Sequence, residues 1–130
     1  MNEFQTTWQP KILSVLRFFA GFLMLWHGSQ KLFNFPASEY GAAKDAFMIF
    51  AGVLEFGGGL LIALGLFTRW SAFLLSGTMA VAYWTAHGTK AFLPIENKGE
   101  LAVLYCFVYL YLFFAGGGSW SLDNLLKKKN

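Results

Sequence analysis

The stretch "ILSVLRFFAGFLMLWHGSQKLFNF", Ile12 to Phe35, decides the fold class. It is long and apolar enough to cross a bilayer, for which a helix needs about 20 residues. It nevertheless carries Arg17, His27 and Lys31. At about 100° per residue, Arg17, Gly21, Met24, His27, Gly28 and Lys31 fall in one arc of roughly 120°. The opposite arc holds Phe18, Phe19, Phe22, Trp26 and Phe33. A charge facing the bilayer centre costs at least about 2.5–3.5 kcal/mol. The charged, glycine-lined face is therefore expected to look into a helix bundle, and the aromatic face outward.

The rest of the chain repeats the pattern. Further apolar stretches run over residues 46–67, 70–92 and 101–115, giving an all-α, four-helix integral membrane bundle as a single domain over 1–130. Pro10 suits a helix start ahead of Ile12. "NFPASEYGAAKD" reads as a loop, "TRW" as a tight turn between antiparallel neighbours, and "LPIENKGE" and "GGGS" as turns. "WSLDNLLKKKN" reads as a short amphipathic tail, its Trp120 and leucines facing lipid and its lysines water.

Composition agrees. Of 130 residues, 56% are hydrophobic and only 13% are charged, against about a quarter charged in soluble domains. The formal charge of +3 is concentrated in Lys127–Lys129, a lipid anchor rather than a nucleic-acid surface. One cysteine, Cys106, permits neither an internal disulfide nor a Cys-pair redox or zinc motif. The first apolar run is too long for a signal peptide, so an uncleaved chain is expected. Lys11, Arg69 and Lys127–Lys129 share one side, and Lys44, Lys90 and Lys98, offset by acids, share the other. That bias places both termini in the cytoplasm.

Chemistry-bearing residues gather at matching depths. Glu55 is the acid near the middle of the second stretch, flanked on its face by Met48, Ala51, Gly52, Gly59 and Ile62. Small residues there let a neighbouring helix approach. Arg17 and His27 both lie within about two helical turns of Glu55 in depth, and an Arg17–Glu55 charge pair is expected. The third stretch aligns Ser76, Met79, Ala80, Tyr83, His87 and Lys90, with His87 and Lys90 level with His27 and Lys31. The fourth aligns Tyr105, Tyr109 and Gly116. The outcome is a polar core with one acid and two His–Lys pairs, walled by Tyr83, Trp84, Tyr105 and Tyr109.

Structural readings compete with functional ones. Lys31 and Lys90 read equally as interface-seeking lysines, Arg17–Glu55 as a packing ion pair, and His27 as a satisfied core histidine. His27, His87 and Glu55 form a two-His-one-carboxylate set, but on three helices with no diagnostic spacing, so no metal site is assigned.

Three segments carry a family resemblance: "LRFFAGFLMLWHGSQKLF", "FAGVLEFGGGLLIALGLFTRW" and "AGGGSWSLDNLL". They resemble the DoxX family of small bacterial inner-membrane proteins. The pattern is an early Arg (Arg17), a His–Gly–x–x–Lys step (His27, Gly28, Lys31), a Glu–x–x–Gly–Gly (Glu55, Gly58, Gly59) and a Thr–Arg (Thr68, Arg69). The resemblance implies a four-helix fold in the bacterial inner membrane and, through the thiosulfate:quinone oxidoreductase subunit behind the family name, quinone-linked electron transfer. The expected function is a redox-associated membrane protein, a candidate oxidoreductase component. It would bind a quinone or small anion between helices one to three and work with a soluble or membrane partner that carries the electrons. Glu55 and His27 are the candidate catalytic groups, and Arg17, Lys31, Tyr83, His87 and Lys90 the candidate ligand-binding ones. No covalent cofactor is expected; quinone is the diffusible candidate. The competing reading is a non-enzymatic scaffold or accessory subunit whose Arg–Glu–His core only specifies packing.

Overall fold

A computed structural model describes all residues, 1–130, and the chain is all-helical with no strand. Helix α1 spans Glu3–Phe33, α2 Ala46–Leu64, α3 Thr68–Ala82, α4 Pro94–Asn97, α5 Glu100–Ala115 and α6 Leu122–Lys129. A π-helical turn, Tyr83–His87, continues α3.

Helix α1 starts well before Ile12. Asn2 accepts the Gln5 backbone N–H at 2.9 Å, and the Gln5 side chain accepts the Asn2 N–H at 3.0 Å. This reciprocal box satisfies two of the donors a helix start leaves free. Pro10 therefore lies inside the helix rather than at its start. At 31 residues, α1 is about 46 Å long, so it outruns a hydrocarbon core of roughly 30 Å. It ends at Phe33, two residues short of the expected Phe35, because Asn34 turns left-handed with φ 52°.

The ends of α2 have equally local causes. Asp45 caps α2 through the Met48 N–H at 2.9 Å. Gly65, at φ 70°, ends it at Leu64 rather than Phe67, since glycine enters this region without a Cβ penalty. Helix α3 begins at Thr68, and its π-turn stops at His87, five residues before the expected Phe92.

Helices α1 and α2 pack along one another, as do α3 and α5, and α2 meets α3. The α1–α2 crossing is backbone on backbone. A Cβ on Gly28 would collide with the backbone of Phe56, and one on Gly59 would lie 2.7 Å from Leu25 N. The core between the pairs holds Met24, Ile62, Leu75, Met79, Tyr109 and Leu112. One hydrogen bond crosses it, Tyr109 OH donating to the Ala20 carbonyl at 2.7 Å, and a second joins α3 to α5, Ser76 Oγ donating to the Cys106 carbonyl at 2.8 Å.

The outer surface is apolar. Phe18, Phe19, Phe22 and Phe33 are exposed as expected, while Trp26 is half-buried against the rings of Phe22 and Phe35. Phe50, Phe73, Leu104, Phe107 and Phe114 extend the surface over the other helices. Contiguous apolar surface of this extent marks a lipid or protein contact. Helices α1 and α2 are long and apolar enough to cross a membrane; α5 is apolar but shorter, at 16 residues.

Candidate functional site

The buried acid at the centre of the chain is partnered by a lysine. Glu55 is 2% exposed, and the Lys31 Nζ donates to its Oε2 at 2.6 Å. Lys31 sits in the last turn of α1, and its stem crosses Gly52 of α2, where a Cβ would lie 3.0 Å from Lys31 Cβ. A buried carboxylate needs such a partner to remain charged.

Arg17 is not that partner, which corrects the expected Arg17–Glu55 pair. Arg17 is 2% exposed and bonds only to backbone carbonyls. Nε donates to Gly117 O at 2.7 Å, Nη1 to Ile62 O at 2.8 Å and Ala63 O at 2.6 Å, and Nη2 to Trp120 O at 2.6 Å. The reason is the end of α2. A helix leaves its last four carbonyls without intrahelical donors, and Gly65 fixes that end beside Arg17. The planar fork of donors then gathers the terminal carbonyls of α2, of which Ile62 O also accepts the Gly65 N–H, together with carbonyls of the C-terminal segment.

A cavity of about 250 Å³ opens beside the Lys31–Glu55 pair. His27 and Lys31 of α1, Glu55 of α2, His87 of the π-turn, and Lys98 and Tyr105 at the other wall line it, with Met24 and Met79 at its base. Only Oε2 of Glu55 is bonded to protein. His27 meets Tyr105 edge-on with ring centroids 6.2 Å apart. A second cavity of about 450 Å³, under the Ser38–Asp45 loop, shares His27 and Lys31 with the first. These two side chains therefore stand between an outer vestibule and Glu55.

His87 is oriented from behind. Its Nδ1 lies 3.0 Å from the Asn97 carbonyl. A carbonyl only accepts, so Nδ1 carries the proton, and the neutral ring keeps its lone pair on Nε2. Asn97 is itself 3% exposed. Its Nδ2 donates to Tyr83 OH at 2.9 Å and Ala91 O at 3.0 Å, and its Oδ1 accepts from Gly99 N at 2.8 Å.

The structure thus brings His27, Lys31, Glu55 and His87 together and leaves other candidates apart. Tyr83 stands behind the cavity, bound to Asn97. Lys90 is exposed and lines neither cavity, because the helix ends before it; Lys98 occupies the expected place. Of the expected walls only Tyr105 serves. Trp84 is exposed, and Tyr109 is committed to Ala20. Although His27, His87 and Glu55 share the cavity, no three His, Cys, Asp or Glu groups converge closely enough to hold a metal ion. Asn97 and Lys98 were missed because "IENKGE" reads only as a turn.

The profile of the DoxX family matches residues 12–88. The chain belongs to the DoxX family. It is 42% identical to an uncharacterized protein of Haemophilus influenzae over 99% of this chain and the whole of that protein. A second uncharacterized protein of Haemophilus influenzae is 30% identical over 89% of this chain and 83% of its own length. No solved structure matches. The matched DoxX segment contains Arg17, His27, Lys31, Glu55 and His87. Lys98 and Tyr105, which close the cavity from the far side, and Asn97, which holds His87 from behind, come from beyond it.

Proposed function

We propose that this DoxX protein is a four-span inner-membrane domain with both termini in the cytoplasm. It binds the head of a quinone, or a small anion of similar size, in the cavity beside Lys31 and Glu55, and serves a redox partner that carries the electrons. One observation carries this reading: a single cavity gathers a buried carboxylate, two lysines and two histidines within an otherwise apolar fold. Ionisable residues placed so deep are costly, and their common use is to hold ligands or relay protons.

The chemistry of the lining suits an oxygen-bearing ring. About 250 Å³ is room for roughly eight waters at 30 Å³ each, which a single substituted ring fills while its tail stays in lipid. A quinone, when bound, supplies two-electron chemistry that takes up or releases two protons. Lys31 donates to a ligand oxygen, and His87 Nε2 accepts from a ligand hydroxyl. Glu55 balances the lysine charge, and His27 takes or gives a proton at the vestibule side. Tyr105 and the two methionines exclude water from the ring.

The test is to add short-chain quinone to delipidated protein and follow its thermal unfolding. A stabilisation present in wild type and lost in His27→Ala and His87→Ala supports the reading. Equal melting with and without quinone in all three proteins rejects it.

The scaffold reading has one specific support. Arg17, the most buried cation, spends its bonds on tying α1 to the end of α2 and to the C-terminal segment. Arg17 is accordingly assigned to packing, and the ligand role rests on Lys31.

A further inference from the structure

The Thr–Arg step lies within the matched family segment and the Gly116–Ser119 loop beyond it, and neither takes part in the cavity at His87. They meet at the other end of α3, where a cavity of about 580 Å³ lies between the start of α3, the glycine loop and α6. Its lining carries two cations, Arg69 and Lys127, and one carboxylate, Asp123.

Asp123 is already employed. Its Oδ1 accepts the Phe67 N–H at 2.8 Å and its Oδ2 the Thr68 N–H at 2.9 Å, so the tail caps α3 from a distance of 55 residues in sequence. The remaining donors at this end have no acceptor. The backbone N–H groups of Arg69 and Trp70 bond to nothing in the protein. Arg69 gives Nη1 to the carbonyls of Phe113 and Phe114, leaving Nη2 and Nε free. Thr68 is fully buried, and its Oγ1 is the one enclosed side-chain polar atom without a partner. Gly116 and Gly117 pack close against these groups: a Cβ on Gly116 would lie 3.1 Å from Arg69 Nη2, and one on Gly117 3.0 Å from Thr68 Oγ1.

Unanswered donors at the first turn of a 15-residue helix favour an anion with several oxygens. Arg69 and Lys127 set against Asp123 leave a single positive charge, which matches a singly charged phosphodiester better than a doubly charged free phosphate. The surroundings are those of a membrane interface. Trp70 and Trp120 are exposed beside the site, as aromatics are at the headgroup level, and Lys127–Lys129 follow immediately.

We propose that this cavity binds the phosphate of an anionic phospholipid headgroup. Thr68 Oγ1, the Arg69 guanidinium and the first-turn N–H groups of α3 hold the phosphate oxygens, with Lys127 at the rim. The bound lipid fastens α6 and the start of α3 to the bilayer.

The experiment uses the full chain, delipidated in neutral detergent. Thermal unfolding and native mass spectrometry are followed with added phosphatidylglycerol, phosphatidylcholine or inorganic phosphate. Thr68→Val is the decisive variant. It removes a hydroxyl that has no partner, so the lipid-free protein folds and melts at or above the wild-type temperature. We expect one retained phosphatidylglycerol per chain, a higher melting temperature, and roughly tenfold weaker binding in Thr68→Val and Lys127→Gln. Phosphatidylglycerol binding unchanged in Thr68→Val overturns the proposal, as does phosphatidylcholine binding equal to it. A Thr68-dependent shift from inorganic phosphate with none from phosphatidylglycerol overturns the lipid assignment.

Discussion

Lys31 reaches from the last turn of α1 to set its ammonium 2.6 Å from the Glu55 carboxylate of α2. That contact, not one to Arg17, neutralises the buried acid. Arg17 bonds α2 at Ile62 and Ala63, seven residues beyond Glu55 and so about 10 Å further along the axis.

A double-mutant cycle separates the two pairings. Lys31→Met with Glu55→Gln should show a coupling of about 1–3 kcal/mol, whereas Arg17→Met with Glu55→Gln should be additive within about 0.5 kcal/mol. Reversible unfolding in detergent gives both numbers. Strong Arg17–Glu55 coupling would refute the geometry.

Arg17 should tolerate no conservative change. A lysine offers one ammonium where four carbonyls from two segments are now served, so Arg17→Lys should cost at least about 2 kcal/mol through unanswered buried carbonyls. Limited proteolysis should show the C-terminal segment released first. A wild-type cleavage pattern would count against it.

Glycines divide by what surrounds them. Gly28→Ala drives a methyl into the Phe56 backbone and should cost about 1–3 kcal/mol. Gly57 and Gly77 face open space, so Gly77→Ala should stabilise α3 by up to about 1 kcal/mol. The checking measurement is the melting temperature of each variant; equal effects at Gly28 and Gly77 would contradict the packing.

The Asn97–His87 contact should be visible by nitrogen NMR. Wild-type His87 should show a protonated Nδ1 and a bare Nε2 when neutral. Weakening the turn with Asn97→Ala, which removes its links to Tyr83, Ala91 and Gly99, should mix the tautomers. A fixed Nδ1–H tautomer in that variant would show that Asn97 is not what positions the ring.

Most of the helical plan was legible along the chain. The apolar stretches, the inward stripe from Arg17 to Lys31, the glycine crossing at Gly59 and the buried stripe of Tyr105 and Tyr109 all follow from periodicity. Periodicity is a property of one helix, and each helix satisfies it alone. Element ends were less legible, because Asn2, Asn34 and Gly65 act through local hydrogen bonds and backbone angles that an apolar window averages away. Lys90 was misplaced for this reason: carrying the α3 pattern past His87 put it on a face that the chain had already left.

The sequence by itself determined that this protein is helical, apolar on its outside and charged on one inner face, since burial and helical period leave no other arrangement for those residues. Only the tertiary structure decided who pairs with whom. Partner choice depends on where α2 stops and which carbonyls that leaves bare, and on a four-residue turn that brings Asn97 and Lys98 to His87. Arg17 went to the carbonyls at the end of α2 and in the C-terminal segment because they lay nearest its fork, and Glu55 was left to Lys31.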